Sequence, residues 1–183
     1  MNNYIQVYQN AIDPKYCDEL IKKFNDNPHQ HSYDKREEIS VSFTEIHLYK
    51  HDEWNQDIQA ITQIYIKYLK QYRKEFNIVD AMWPKMVGME GFRIKKYLPN
   101  GRDEFGLHVD SFDKKSSFRF LAFFMYLDDN KEGHTSFPQL DLKIPCVKGS
   151  LLIFPPLWLW LHSGEKPVDK PKYILGSYLH YGK

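Results

Sequence analysis

A chain of 183 residues, 42% hydrophobic and 16% aromatic, has room for one well-packed domain and too little for two. A charged fraction of 27% with a formal net charge of +1 excludes a disordered polyelectrolyte and a protein that holds nucleic acid by bulk attraction. The start, Met1 to Gln6, lacks the basic patch and apolar core of a secretory signal, and no apolar run reaches the ~18 residues of a membrane span. Two cysteines, Cys17 and Cys146, occur without CxxC spacing, so the expectation is a soluble cytoplasmic protein with two buried thiols and neither membrane nor nucleic acid as partner.

Asp13 is a candidate N-cap and Pro14 a candidate first helical residue. Beyond them Tyr16, Leu20, Ile21 and Phe24 recur at helical spacing and predict a short amphipathic helix. Asn25-Asp26-Asn27-Pro28 ends it, and with Gln30 to Arg36 reads as a polar loop, a candidate lid. Ile39, Val41 and Phe43 alternate with polar residues as in a half-buried strand. From Trp54 to Phe76 apolar residues keep the helical period without an internal Gly or Pro, which predicts a long helix with one buried face.

After Pro84 the texture changes to short runs rich in Phe, Tyr, Ile and Leu between turn-forming clusters. Strands are expected at 91–97, 105–109, 118–127, 150–154 and 173–180, with Arg93, Lys95 and Lys96 on the outer face. The fold class is therefore α+β, a single domain over 1–183. Residues 1–84 are expected to be mainly helical support, and 85–183 a closed or sandwiched β structure that carries the chemistry.

His108 and Asp110 are two apart, so on an extended segment both side chains leave the same face and can share one metal ion. His162, after the apolar run 151–156, is a third ligand candidate. Two imidazoles and a carboxylate form a facial triad suited to non-haem iron, with zinc chemically open. The other six histidines are expected off the metal, although His180 shares a strand face with Tyr178 and is a candidate to look into the cavity. Lys172 offers a cation for the far carboxylate of a diacid, with a tyrosine hydroxyl beside it to fix orientation. Trp158 and Trp160 read as packing, Lys114-Lys115 as a solvated turn.

Five ordered pieces carry a resemblance over about 93–181: Tyr97 and a Gly-containing turn leading to His108-Val-Asp110; Phe123-Phe-Met-Tyr126-Leu127; the turn Glu132-Gly-His-Thr-Ser-Phe-Pro138; Val147-Lys-Gly-Ser-Leu-Leu-Ile-Phe-Pro155; and His162 followed by Lys172-Tyr173. In these the chain resembles the 2-oxoglutarate- and Fe(II)-dependent oxygenases, in their prolyl 4-hydroxylase-like branch, whose core is a double-stranded β-helix (jelly roll). The resemblance implies that His108, Asp110 and His162 bind Fe(II), and that Lys172 pairs with the C5 carboxylate of 2-oxoglutarate, assisted by Tyr126 or Tyr97. It further implies dioxygen as co-substrate, ascorbate as reductant, and a C–H bond of a peptide or protein, foremost a peptidyl proline, as target. A free amino acid or another side chain is an alternative target. The alternative from another class is a non-catalytic cupin-like jelly roll that only holds a metal. The chain departs from the family pattern at Glu132, where a Gly-Gly pair is usual, and at Tyr178, where Trp is frequent; neither is expected to touch a ligand.

Overall fold

The computed structural model describes residues 4–37 and 40–182. Helix α1 spans Pro14–Asp26, and its cap is the one the sequence offers: Asp13, in extended backbone, accepts the Lys15 N–H at 2.8 Å. Helix α2 spans Asn55–Glu75 and buries Ile61, Tyr65, Tyr68 and Tyr72.

Twelve strands form one sheet among the described residues: β1 (Gln6–Tyr8), β2 (Ser32–Arg36), β3 (Val41–His47), β4 (Val87–Met89), β5 (Arg93–Tyr97), β6 (Glu104–His108), β7 (Arg119–Tyr126), β8 (Asn130–Phe137), β9 (Leu142–Cys146), β10 (Leu151–Phe154), β11 (His162–Gly164) and β12 (Lys172–Tyr181). The order is β1-β10-β7-β12-β5-β3-β6-β11-β8-β9, with β2 added to β3 and β4 to β12, and every pairing is antiparallel. The sheet curls into a nearly closed barrel.

Strict alternation along the strands divides the core in two. On β7, Leu121, Phe123 and Met125 face outward and join Cys17, Leu20, Phe24, Ile61, Tyr65 and Tyr72 of the helices, with Ile153, Leu175 and Leu179. Ala122 and Tyr126 face inward with Val41, Phe43, Tyr97, Phe137, Phe154 and Tyr178. Each fully buried Phe or Leu contributes about 1.5–3 kcal/mol relative to exposure, so the helices anchor the barrel from outside while leaving its interior to other uses. Both thiols are buried and free, and no helix among the described residues is long and apolar enough to cross a membrane.

The structure corrects the sequence reading at several elements. Ser32–Arg36 is not loop but β2, in register with Val41–Glu45 of β3, an exposed edge strand whose polar residues hide the period. With β1 and β3 it gives the first half of the chain three strands beside its helices. Residues 132–137 of the expected turn form most of β8, a strand written in turn-type residues. Ile39 lies outside the described residues.

Candidate active site

His108 ends β6 and His162 begins β11, and the two are direct partners in the antiparallel register. Their rings lie 4.4 Å apart. Asp110, just past the end of β6, turns its carboxylate between them: Oδ1 is 3.3 Å from His108 Nε2 and Oδ2 is 3.3 Å from His162 Nε2. All three donor atoms fall within 4.8 Å of one another.

Each imidazole is oriented by its other nitrogen. His108 Nδ1 lies 2.7 Å from the Gly106 carbonyl and His162 Nδ1 2.9 Å from the Trp160 carbonyl, so in both rings the proton belongs on Nδ1 and the lone pair on Nε2. Phe105 stacks on His108 at 3.8 Å, and Phe154 meets the His162 ring edge-to-face at 4.8 Å. Asp110 Oδ2 and His162 Nε2 are buried and have no hydrogen-bond partner, a costly arrangement that a shared cation would relieve. Burial lowers the His108 pKa; for Asp110 burial works the other way, but the two imidazoles outweigh it and hold the carboxyl well below its usual range. A divalent ion that takes oxygen and imidazole nitrogen fits this donor set.

A second layer holds Asp110 in place. Tyr178 donates its hydroxyl to Asp110 Oδ1 at 2.7 Å, so the residue standing where Trp is frequent does touch a ligand candidate. Arg119 donates to the Asp110 carbonyl at 3.2 Å, lies over the Tyr178 ring at 4.1 Å and grips Glu90 at 2.5 and 2.9 Å. Only Tyr178 had a signal in the sequence; nothing in composition or spacing marks Arg119 or Glu90.

Lys172 begins β12 opposite Tyr97 of β5 and is fully buried. Its ammonium donates to the carbonyls of Glu165 at 2.7 Å and Gly133 at 3.2 Å, and sits 4.8 Å from the Tyr97 ring centroid. No carboxylate of the chain pairs with it among the described residues, and burial brings its pKa down to about 8. Gly133 is required here: a Cβ would come within 2.7 Å of Lys172 Cδ. Glu132, the departure from Gly-Gly, is exposed and meets no such constraint.

The cavity before the triad is lined by Tyr97, Thr135, Gly164, Ile174 and Tyr178 as well as both histidines. Tyr126 spends its hydroxyl on Thr135 Oγ1 at 2.7 Å and lies one layer behind, whereas Tyr97 itself faces the cavity. Thr135, present in the sequence only as part of a turn motif, thus belongs to the wall.

Alternation also overturns two orientations. Arg93 and Lys95 share the inward face of β5 with Tyr97 and line the cavity, while Lys96 points out to Asn25 and Tyr173. His180 lines neither the cavity nor the cleft that leads to it: it is the register partner of Gly88 on β4, and its ring packs over that glycine. Trp158 is 73% exposed rather than packed. The remaining histidines join no metal-type cluster among the described residues, and His134 is occupied with Glu165 at 3.3 Å.

Residues 92–180 match the family model of the 2OG-Fe(II) oxygenase superfamily. The chain belongs to that superfamily. No curated protein matches this oxygenase by sequence at a significant level. Among solved structures it is similar to the viral collagen prolyl hydroxylase of Paramecium Bursaria Chlorella virus-1 in its 2-oxoglutarate complex (TM-score 0.70, 18% identity, 98% of this chain and 97% of that one). It is also similar to a Pseudomonas putida prolyl-4-hydroxylase (0.67, 11%, 100% and 95%). A third similar structure is a prolyl hydroxylase from Trichoplax adhaerens in complex with a hypoxia inducible factor peptide fragment (0.76, 13%, 98% and 84%). The jelly-roll expectation therefore holds. The oxygenase is a 2-oxoglutarate-dependent dioxygenase with Fe(II) as cofactor and 2-oxoglutarate and dioxygen as co-substrates, and the non-catalytic cupin-like reading is not favoured.

Proposed function

We propose that this dioxygenase hydroxylates a proline within a peptide or protein, with His108, Asp110 and His162 as the iron ligands and Lys172 as the anchor of 2-oxoglutarate. The observation that carries the ligand assignment is the convergence of Nε2 of two imidazoles and the Asp110 carboxylate, with Asp110 Oδ2 and His162 Nε2 left unpartnered in a buried site. Proline as target is favoured by the likeness in fold to the viral and bacterial prolyl hydroxylases. Residues 1–183 act as one oxygenase domain in this reading.

When the site is loaded, the chemistry supplied there is the coupled oxidation of 2-oxoglutarate to succinate and carbon dioxide with insertion of the second oxygen atom of O2 into a substrate C–H bond. The chain's part is geometry and exclusion of water. Gly106 and Trp160 hold the two imidazoles by their Nδ1 protons, and Tyr178 holds Asp110 by Oδ1. Lys172 has no anionic partner of its own, so a diacid that enters along Tyr97 and Thr135 finds a buried ammonium still in need of one. Tyr97, whose phenol burial keeps neutral, is the hydroxyl assigned to the same carboxylate; Tyr126 acts through Thr135.

Succinate release from 2-oxoglutarate under air with Fe(II) and ascorbate, measured with and without a proline-rich peptide, tests the reading. Peptide-stimulated succinate together with a 16 Da gain on proline is the expected result. Succinate that no proline peptide stimulates above the His108→Ala background would overturn the choice of target.

A further inference from the structure

Lys95 takes no part in the machinery above, and its position is unusual for a lysine. It lies on the inner face of β5 between Arg93 and Tyr97, and lines both the cavity before the triad and the open cleft of about 740 Å³ that leads to it. Its ammonium stands 4.5 Å from the centroid of Phe43 and 5.0 Å from that of Phe105. Phe105 is also the ring stacked on His108, so one phenyl group touches both the cation and a ligand candidate. Cation–π contacts of this kind offset only part of an ammonium's desolvation.

Among the described residues Lys95 forms no ion pair, although carboxylates are near. Glu45 is its direct register partner on β3, yet gives Oε1 to His47 at 2.7 Å and leaves Oε2 without a partner. Asp34 is held by Arg36 at 3.1 Å, and Glu90 by Arg119. Asp113 is folded onto Ser116 at 2.6 Å. Apart from Glu45 Oε2, which has no hydrogen-bond partner, the acidic groups of the cleft are engaged with other residues or, as Asp110 is, with the triad, while this cation is left facing the substrate path. A half-buried ammonium in an aromatic frame, one ring from the reacting centre, is a receptor for an anion that arrives with the substrate.

We propose that Lys95 is a specificity-determining residue that takes a carboxylate of the substrate next to the hydroxylated carbon, so that the substrate is an acidic peptide in which Asp or Glu flanks the target proline. The proline rests on the function proposed above; the carboxylate rests on the cleft alone.

Two measurements separate these. Binding of short labelled peptides that carry Glu, Gln or Lys beside a proline is followed by fluorescence anisotropy on the unloaded protein, and succinate release with the same peptides on the loaded enzyme. The wild type is expected to bind the Glu peptide about tenfold or more tightly than the Gln peptide. Lys95→Met should erase that preference without moving the KM for 2-oxoglutarate, Lys95→Arg should retain most of it, and Lys115→Met, at an exposed lysine of the same cleft, should keep it. Thermal unfolding verifies that the variants fold, and Lys95→Arg keeps the assignment falsifiable if Lys95→Met does not.

Equal affinity of the wild type for Glu and Gln peptides would overturn the proposal, as would a preference that survives Lys95→Met. A raised KM for 2-oxoglutarate in Lys95→Met with unchanged peptide affinities would give the cation to the co-substrate and likewise overturn it. Acid-selective, Lys95-dependent binding without hydroxylation of any proline would sustain the carboxylate receptor and sink the prolyl reading.

Discussion

The outer and inner faces of the barrel are lined with the same residue types and treat polar groups in opposite ways. On the helical side, tyrosine hydroxyls are spent on fixed partners: Tyr65 on the Phe123 carbonyl, Tyr72 on that of Tyr4, Tyr8 on Glu75 and Tyr16 on Asp57. On the inner side Glu45 Oε2, Asp110 Oδ2 and His162 Nε2 are buried without partners, and Lys95 and Lys172 are both brought down to about pKa 8, first by desolvation. One buried atom near the helices, Arg73 Nε, is also unpartnered, but its guanidinium is anchored on Asp80 at 2.7 Å. Satisfied polarity makes a scaffold, and unsatisfied polarity held by that scaffold makes a receptor.

The sharpest way to break this contrast is at the triad. His108→Ala, Asp110→Ala or His162→Ala should lower Fe(II) affinity at least ~100-fold and remove succinate production, while calorimetry shows the unloaded fold no less stable. The converse belongs to the outer face. Phe123→Ala should cost about 3–5 kcal/mol of stability in denaturant unfolding, yet leave turnover per folded molecule unchanged.

Lys172 gives a smaller, pH-resolved effect. In the free protein its charged form is disfavoured below the ordinary lysine value, with Cys146, Glu165 and Glu104 opposing burial only in part. A bound carboxylate favours the charged form, so 2-oxoglutarate affinity should be flat below pH 8 and fall by up to about tenfold per pH unit above it. Lys172→Met should show weak, pH-independent affinity in the same titration. Stability has the opposite slope: the unfolded chain holds this proton up to its ordinary pKa, so the penalty of the buried charge is present at neutral pH and fades as pH rises from about 8 to about 10.5. The smallest expected effect separates the tyrosines. Tyr97→Phe should raise the KM for 2-oxoglutarate several-fold and Tyr126→Phe less, since the latter loses a bond to Thr135 rather than to the ligand.

How far these sites were legible in the sequence follows from the same contrast. Both helices were readable because Asp13-Pro14 and the unbroken period from Trp54 are local signals. The convergence of the triad was readable because His-x-Asp fixes a shared face within three residues, and the burial of Lys172 beside Tyr97 because the family motif sets a basic residue there. What failed depended on neighbours. β8 lines a polar site and is therefore composed of Gly, His, Thr and Ser, which read as turn; β2 is an exposed edge with no apolar face to alternate. Arg93 and Lys95 look like solvent-facing charges until the register of Tyr97 fixes their face, and the seat of the His180 ring over Gly88 of β4 depends on a pairing that leaves no local trace.

Strand β12 pairs with β4, β5 and β7 while carrying Lys172 to its buried place beside Tyr97 and Tyr178 to the Asp110 carboxylate. It is a ruler: at about 3.3 Å per residue, the spacing between these two side chains is set by the backbone, and a one-residue slip would send both to the wrong face. In evolutionary terms this stretch can drift by substitution but not by insertion or deletion, and the turn that feeds it is itself pinned, Lys166 to Glu104 and Lys170 to Asp128 and Asn130. Relatives that take a longer or shorter 2-oxo acid would have to rebuild the residue at one end of the ruler, because the ruler itself cannot be recut.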